Sequence, residues 1–312
     1  MAMAAPLQRS SLRCVLWLQL YCPEYLRAIQ LRCRSEIMAK VTLVQRIKYI
    51  FFWFYALIIL YPIWFVFQSS FKDNNDLFLS PWAFPRVFRW QNYSDVFFKY
   101  GLKTNLFNSL TYAILSCMIA VLICAMASFV LTRMHWKLSK LIMGFFLLGV
   151  MVPIQSALVP LYILVNRMGL TNPRVNIISI FVAFSISTTI FILSSFMENL
   201  PHELEEAAVI DGCNIPMIFW KIILPLSKPA IATVTILNFL GSWNDLMFGL
   251  IFLNNEADKT LQLGIMRFQS NFGTNYGYAL VGIMVAMIPS MLIYGILQDK
   301  MVKGMTTGAL KG

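Results

Sequence analysis

Long apolar runs, not an apolar–polar alternation, organise this chain. A bilayer core of about 30 Å calls for about 20 largely apolar helical residues, because each residue rises about 1.5 Å. Runs of that kind fall at roughly 49–69, 108–131, 141–163, 175–197, 229–253 and 277–299. They predict an all-α membrane protein with six transmembrane helices. Pro153 and Pro160 interrupt the third run, where a proline removes a backbone hydrogen bond and kinks the helix.

The connections differ in character. Residues 70–107 form a long polar loop containing Pro81, Trp82, Pro85 and Trp90. The segment 132–140, TRMHWKLSK, is short and basic, and 164–174 is short with Gly169 and Pro173. Residues 254–276 are polar, and 300–312 form a small, basic cytoplasmic tail. Residues 1–37 stand apart. They hold five Arg and no Lys, together with Cys14, Cys22 and Cys33. Arg9 and Arg13 followed by CVLWLQLYC resemble a signal peptide, but the apolar core is brief and no good cleavage site follows. These residues are read as an N-terminal extension outside the fold, a cytoplasmic amphipathic segment being the alternative. Residues 38–48 then form a cytoplasmic segment before the first span.

Composition fits this picture. The chain is 59% hydrophobic and 12% charged, where soluble domains carry about 25% charged residues. Its net charge of +11 does not point to nucleic acid, because the basic residues flank apolar runs instead of forming a face. With both termini cytoplasmic, the inner segments hold sixteen Lys and Arg and the outer ones nine. Without the first five, the margin is eleven to nine, and the tight TRMHWKLSK loop is the best single vote for the inner side. No CxxC pair exists, so neither a metal nor a redox site is expected. Cys117 and Cys124, seven apart in one run, read as small packing residues.

The segment ELEEAAVIDG, Glu203–Gly212, carries four of the fourteen carboxylates. Pro201 suits a first helical position, and Glu203, Glu205 and Glu206 suit the positive end of a helix dipole. Gly212 permits the left-handed conformation that stops a helix. Asn214 and Pro216 then cap a second short helix, PMIFWKIIL, which Pro225 ends. The expectation is a helix–turn–helix at the inner face of the membrane. Leu204, Ala207, Ala208, Ile210 and Asp211 would form a small exposed patch for a partner protein. An amphipathic loop resting on lipid headgroups is the bland alternative, disfavoured by three glutamates.

These residues carry a resemblance. Glu206-Ala207-Ala208, three residues, Gly212, nine residues, Ile222, one residue and Leu224-Pro225 is similar to the EAA loop of binding-protein-dependent ABC transporter permeases. WQNYSDVF (90–97), FLGSWNDLMF (239–248) and the ending GMTTGALKG (304–312) resemble segments of carbohydrate-uptake permeases, the last one the second permease of a maltose-type pair. The likeness covers most of the chain after residue 38 and leaves out residues 1–37.

The resemblance implies a sugar or oligosaccharide importer subunit in the bacterial inner membrane, multi-pass and without enzymatic activity. It implies ATPase-coupling roles for Glu206, Ala207, Ala208, Asp211, Gly212, Ile222, Leu224 and Pro225. The implied partners are a second permease subunit, two copies of a cytoplasmic ATPase that hold ATP and Mg, an extracytoplasmic solute-binding protein and membrane lipid. This chain is expected to bind no cofactor, and it contains no GxxxxGK[ST] segment. A substrate pathway is read from the intramembrane charge Asp245 and its neighbours Asn238, Ser242, Trp243 and Asn244, with Gln155 between the prolines. Trp243 could stack on a sugar ring, and a structural role for Asp245 is equally open. The competing functions are an ABC permease for another solute and an autonomous channel or secondary carrier. An inverted-repeat carrier lacks support, since no internal repeat is visible.

Overall fold

The computed structural model describes residues 23–134, 137–270 and 275–309, and these contain helices, turns and no strand. The chain divides into two compact units, Met1–Phe65 and Val66–Gly312. In the first unit the described residues belong to one helix, α1 (Pro23–Ser69), which opens on a proline and contains no glycine. It begins inside the segment expected to be an extension and runs without a break into the first apolar run. Residues 1–22, with Cys14 and Cys22, lie outside the described residues. Side chains from Tyr49 to Tyr55 are exposed in large part, as a lipid-facing helix requires.

The second unit holds α2 (Leu102–Arg133), α3 (Ser139–Met151), α4 (Ile154–Arg167), α5 (Pro173–Glu198), α6 (Glu203–Ile210), α7 (Ile215–Leu226), α8 (Lys228–Trp243), α9 (Met247–Phe252), α10 (Leu261–Ser270) and α11 (Tyr276–Ala309). Among the described residues, four helical stretches are long and apolar enough to cross a membrane alone: Gln45–Ser69, α2, α5 and Tyr276–Gln298. The count rises to six only if each of two bent pairs is one span.

The third run departs from a single helix. α3 and α4 meet at 104°. Val152 is extended (φ −76, ψ 116), the conformation that a following proline imposes. Pro153 then starts α4, while Pro160 is accommodated inside it. At 13 residues, α3 reaches about 20 Å, short of the hydrocarbon core. The fifth run also breaks: α8 stops at Trp243, and the chain restarts as α9 at Met247. The bent partner of α8 is the preceding α7, at 75°. The last helix continues to Ala309, through most of the segment expected to be a separate tail.

α2 is the hub, packed on α5 and α8. The middle of its buried face carries a stripe of small residues, Ala113, Cys117, Ala120, Cys124 and Ser128, none more than 5% exposed. In lipid, helices gain nothing from a hydrophobic effect between them, so close backbone approach has to supply the attraction. The contacts reflect this: Ser128 Oγ donates to the Ile190 carbonyl of α5 at 3.3 Å, and Cys117 Sγ to the Thr235 carbonyl of α8 at 3.5 Å. The packing role expected of the two cysteines fits their burial.

The loop after α1 is closed by a polar staple. Asn92 Nδ2 donates to the carbonyls of Ser70 (2.9 Å) and Lys72 (3.0 Å), and Tyr93 Oη pairs with Ser70 Oγ at 2.7 Å. Lys72 is buried, and its Nζ donates to the Pro81 carbonyl at 2.8 Å. Burial pushes the Lys72 pKa below its usual value, against the pull of Asp76. A Cβ on Gly277 of α11 would lie 2.9 Å from the Lys72 carbonyl, so only glycine lets α11 start this close.

Two measurements probe these contacts. Asn92→Asp replaces the shared donor with a carboxylate facing two carbonyls, each of which costs about 1–3 kcal/mol when left unpaired. It should speed proteolysis of residues 70–101 in proteoliposomes. Cys124→Leu should lower the melting temperature in detergent, as overpacking costs about 1–3 kcal/mol. Met118→Leu, on the exposed side of α2, should leave it unchanged.

Candidate functional site

The acidic segment forms α6, an eight-residue helix with Glu203, Glu205 and Glu206 in its first turn. It starts after His202, not at Pro201. Its end is closed by the two hydrogen bonds of a Schellman motif: Cys213 N–H donates to the Ala208 carbonyl (2.9 Å) and Gly212 N–H to the Val209 carbonyl (3.0 Å). Gly212 sits at φ +80, the left-handed region that glycine enters without steric penalty. Asn214 then caps α7, its side chain accepting from Met217 N–H at 3.0 Å.

Pro225 does not end α7, contrary to expectation. Residues Phe219–Ile223 form a π turn, and the helix continues to Leu226. The widened turn makes room for the pyrrolidine ring, which an ordinary helix would press against the carbonyl four residues back.

The expected coupling residues separate into two groups. Glu206, Ala207, Asp211 and Gly212 are exposed at the tip of the elbow, next to Val209 and Ile210. Ala208 is not part of that patch. It is 4% exposed and packs with Leu131, Leu193, Met197 and Ile218. On an eight-residue helix, positions 204 and 208 share one face while 203, 206, 207 and 210 share the other. Ile222 and Leu224 are half-buried against the same cluster. Leu224 and Pro225 also line an apolar groove of about 660 Å³ with Leu115, Met118 and Leu122 of α2.

The base of the elbow has a residue that the sequence reading passed over. Arg133, the last residue of α2, turns its side chain inward at 1% exposure. Its Nη2 donates to the carbonyls of Met197 (2.6 Å) and Leu200 (2.7 Å). Nη1 lies 2.9 Å from His202 Nδ1, and Nε lies 3.2 Å from Glu205 Oε1. The last contact is a charge pair without hydrogen-bond alignment. As a member of TRMHWKLSK, Arg133 was counted only as an orientation charge, although it is an internal one. A guanidinium in a helix's last turn was the signal available; its partners lie more than sixty residues away.

The expected pathway residues also divide. Trp243 is 1% exposed, stacked on Phe239, and donates from Nε1 to the Ala286 carbonyl of α11 at 3.0 Å. Its ring has no face left for a sugar in this arrangement. Asn238 is buried and bonded to Thr189 of α5 at 3.0 Å. Ser242 Oγ pairs with Ser116 Oγ at 3.3 Å. Asp245 takes a structural part: its carboxylate accepts from Phe248 N–H (3.3 Å) and Gly249 N–H (3.0 Å), closing the first turn of α9. Asn244 lines a cavity of about 350 Å³ together with Gln262, Ser290, Ile265, Met287 and Met291. Gln155 is exposed in the first turn of α4.

In the segment before α10, Glu256 pairs with Lys259 and, at 3.1 Å, with Arg267 of α10. The Lys259 hydrogen bond holds its carboxyl below the usual glutamate value. Among the described residues, no cluster of three or more metal-ligating side chains is found.

Gly212→Ala tests the elbow's closure. No atom lies within 4 Å of the added Cβ, so the cost is backbone strain alone, about 1–2 kcal/mol. Hydrogen exchange at the Gly212 and Cys213 amides should rise about 5- to 30-fold, and less for Gly212→Asn.

The sequence over residues 120–307 matches the family described as binding-protein-dependent transport system inner membrane component. The chain is 33% identical over 268 residues to the probable ABC transporter permease protein YurM of Bacillus subtilis, covering 85% of this chain and 88% of that one. It is 31% identical to the diacetylchitobiose uptake system permease protein NgcG of Streptomyces coelicolor, covering 82% and 86%. It is 30% identical to the multiple sugar-binding transport system permease protein MsmG of Streptococcus mutans, covering 86% and 99%. Its fold resembles a chain in the crystal structure of a bacterial ABC transporter involved in the import of the acidic polysaccharide alginate. The TM-score is 0.70 at 20% identity, covering 82% of this chain and 96% of that one. With a family match over more than half its length, apolar helices able to cross a bilayer and relatives aligned along four-fifths of it, this chain belongs to the inner membrane components of binding-protein-dependent transport systems.

Proposed function

We propose that the chain is one permease subunit of an ATP-driven importer for a sugar or oligosaccharide, with no enzymatic activity of its own. The observation that carries the substrate class is the naming of relatives that span most of the chain: NgcG for diacetylchitobiose uptake and MsmG for multiple sugars. In this reading the α3–α4 pair makes the third crossing and α8 with α9 the fifth, giving six spans, with both termini and the α6–α7 elbow on the cytoplasmic side.

The elbow docks on a separate ATPase through Glu206, Ala207, Asp211 and Gly212, the exposed members of the motif. A short helix closed at its C-terminal end and packed against α2 and α5 transmits displacement instead of bending. Exposed carboxylates offer a partner charge–charge contacts whose desolvation makes them selective. Ala208, Ile222 and Leu224 serve the same coupling from the inside, by seating the elbow on α2 and α5, and Pro225 borders the groove beside α2. ATP and Mg belong to two copies of that ATPase, as this sequence has no phosphate-binding GxxxxGK[ST] loop. A second, different permease provides the other half of the pathway, and an extracytoplasmic binding protein delivers the sugar. Lipid and the second permease cover the exposed apolar faces. Cargo contact by this subunit centres on the cavity at Asn244, Gln262 and Ser290, whose amide and hydroxyl groups suit sugar hydroxyls.

The test is reconstitution with the co-purified partners. The Gly212→Pro, Glu206→Lys double variant should insert stably yet lose binding-protein-stimulated ATP hydrolysis and sugar uptake. Ala207→Cys should form a crosslink to the ATPase. Normal uptake by the double variant would contradict the docking role, and transport by this chain alone in liposomes would favour an autonomous carrier. The ligand retained by the co-purified binding protein tests the sugar.

A further inference from the structure

Arg133 is placed where three chain segments meet. It is the last residue of α2. The carbonyls that its Nη2 reaches, Met197 and Leu200, belong to the C-terminal end of α5 and the residues just beyond it. The His202 ring and the Glu205 carboxylate that face the rest of the guanidinium belong to the start of α6. Carbonyls at a helix end have no intrahelical donor and carry partial negative charge. A carboxylate adds a full one. The single buried cation between them offers five N–H donors in a rigid planar fork. Such a fork can hold several acceptors at fixed angles, which a lysine ammonium on a flexible stem cannot do.

The arrangement is demanding as well as strong. A buried guanidinium is tolerated only when paired, and removing one partner leaves a buried charge uncompensated. Ala208 lies in the same apolar cluster as Leu131 of α2 and Met197 of α5. The first turn of α6 is thus held by charge and its middle by packing, both on the same two helices.

We propose that Arg133 is a positioning residue that fastens α6 to the ends of α2 and α5, so that the elbow and these two helices move as one body. The fastening rests on the geometry alone; its consequence for transport rests on the coupling role proposed above. Without Arg133, α6 can tilt about the residues 199–202 while still touching its partner. Energy from the ATPase is then spent on that tilt and not on moving α2 and α5.

The experiment uses the assembled transporter in lipid nanodiscs. In Arg133→Lys, amide hydrogen exchange over residues 199–210 should rise about tenfold, and the sugar delivered per ATP hydrolysed should fall. Exchange over 215–226, held by the Asn214 cap, should stay as in the parent. Unchanged exchange over 199–210 would overturn the fastening. Raised exchange with an unchanged sugar-to-ATP ratio would overturn the positioning role and leave Arg133 a stabilising residue only. Should Arg133→Lys fail to assemble, Glu205→Gln, which keeps the side-chain size and removes the paired charge, is read the same way, with a smaller effect expected. The crosslink from Ala207→Cys to the ATPase, measured with Arg133 intact, separates the two ideas: its absence sinks the docking reading and leaves the exchange result to decide the fastening.

Discussion

A peptide group in hydrocarbon has no water to bond, so every place where a membrane helix stops must be closed by the protein itself. This constraint accounts for much of the polar chemistry here. Arg133 closes the end of α5. Asp245 closes the start of α9. Ser156 Oγ donates to the Pro153 carbonyl at the bend between α3 and α4. These residues sit where the chain changes direction, while Ser128, Asn238 and Ser242 join one helix to another along their lengths.

The same constraint explains the motifs that carry the family likeness. In the Trp243-Asn244-Asp245 triplet, the tryptophan bridges α8 to α11 and the aspartate caps α9. Only the asparagine between them reaches the cavity. In the Asn92-Tyr93 pair, both side chains bond to the chain leaving α1. These signatures record how the backbone is fastened more than what it binds. The elbow motif is mixed: half of it faces outward, and half packs under α2 and α5.

How much of this was legible depended on the range of each interaction. The runs at 108–131, 175–197 and 277–299 lie within α2, α5 and α11, because average hydropathy reports helices that stay in lipid. It reports nothing about bends, so the fifth run reads as one unbroken span, and the third reads as one span that its prolines kink. Pro153 and Pro160 were both flagged, but only Pro153 breaks the chain, since Val152 can become extended there while Pro160 is held inside a formed helix. Gly212 and Asn214 were readable because turn chemistry is local. The inward turn of Ala208 was not, as alanine suits either face of a short helix. Trp243, Asn238 and Arg133 find their partners in distant segments, which no local pattern encodes.

The π turn at Phe219–Ile223 gives α7 a slack of one residue. A π turn is equivalent to one extra residue lodged in an α-helix. The wide turn uses that residue up within one revolution, so removing it would restore ordinary winding and leave Leu224 and Pro225 facing the groove beside α2. The same deletion in a regular stretch of helix would swing whatever follows by about 100° around the axis. What a deletion within the π turn takes away is the space for the Pro225 ring, not the aim of the helix.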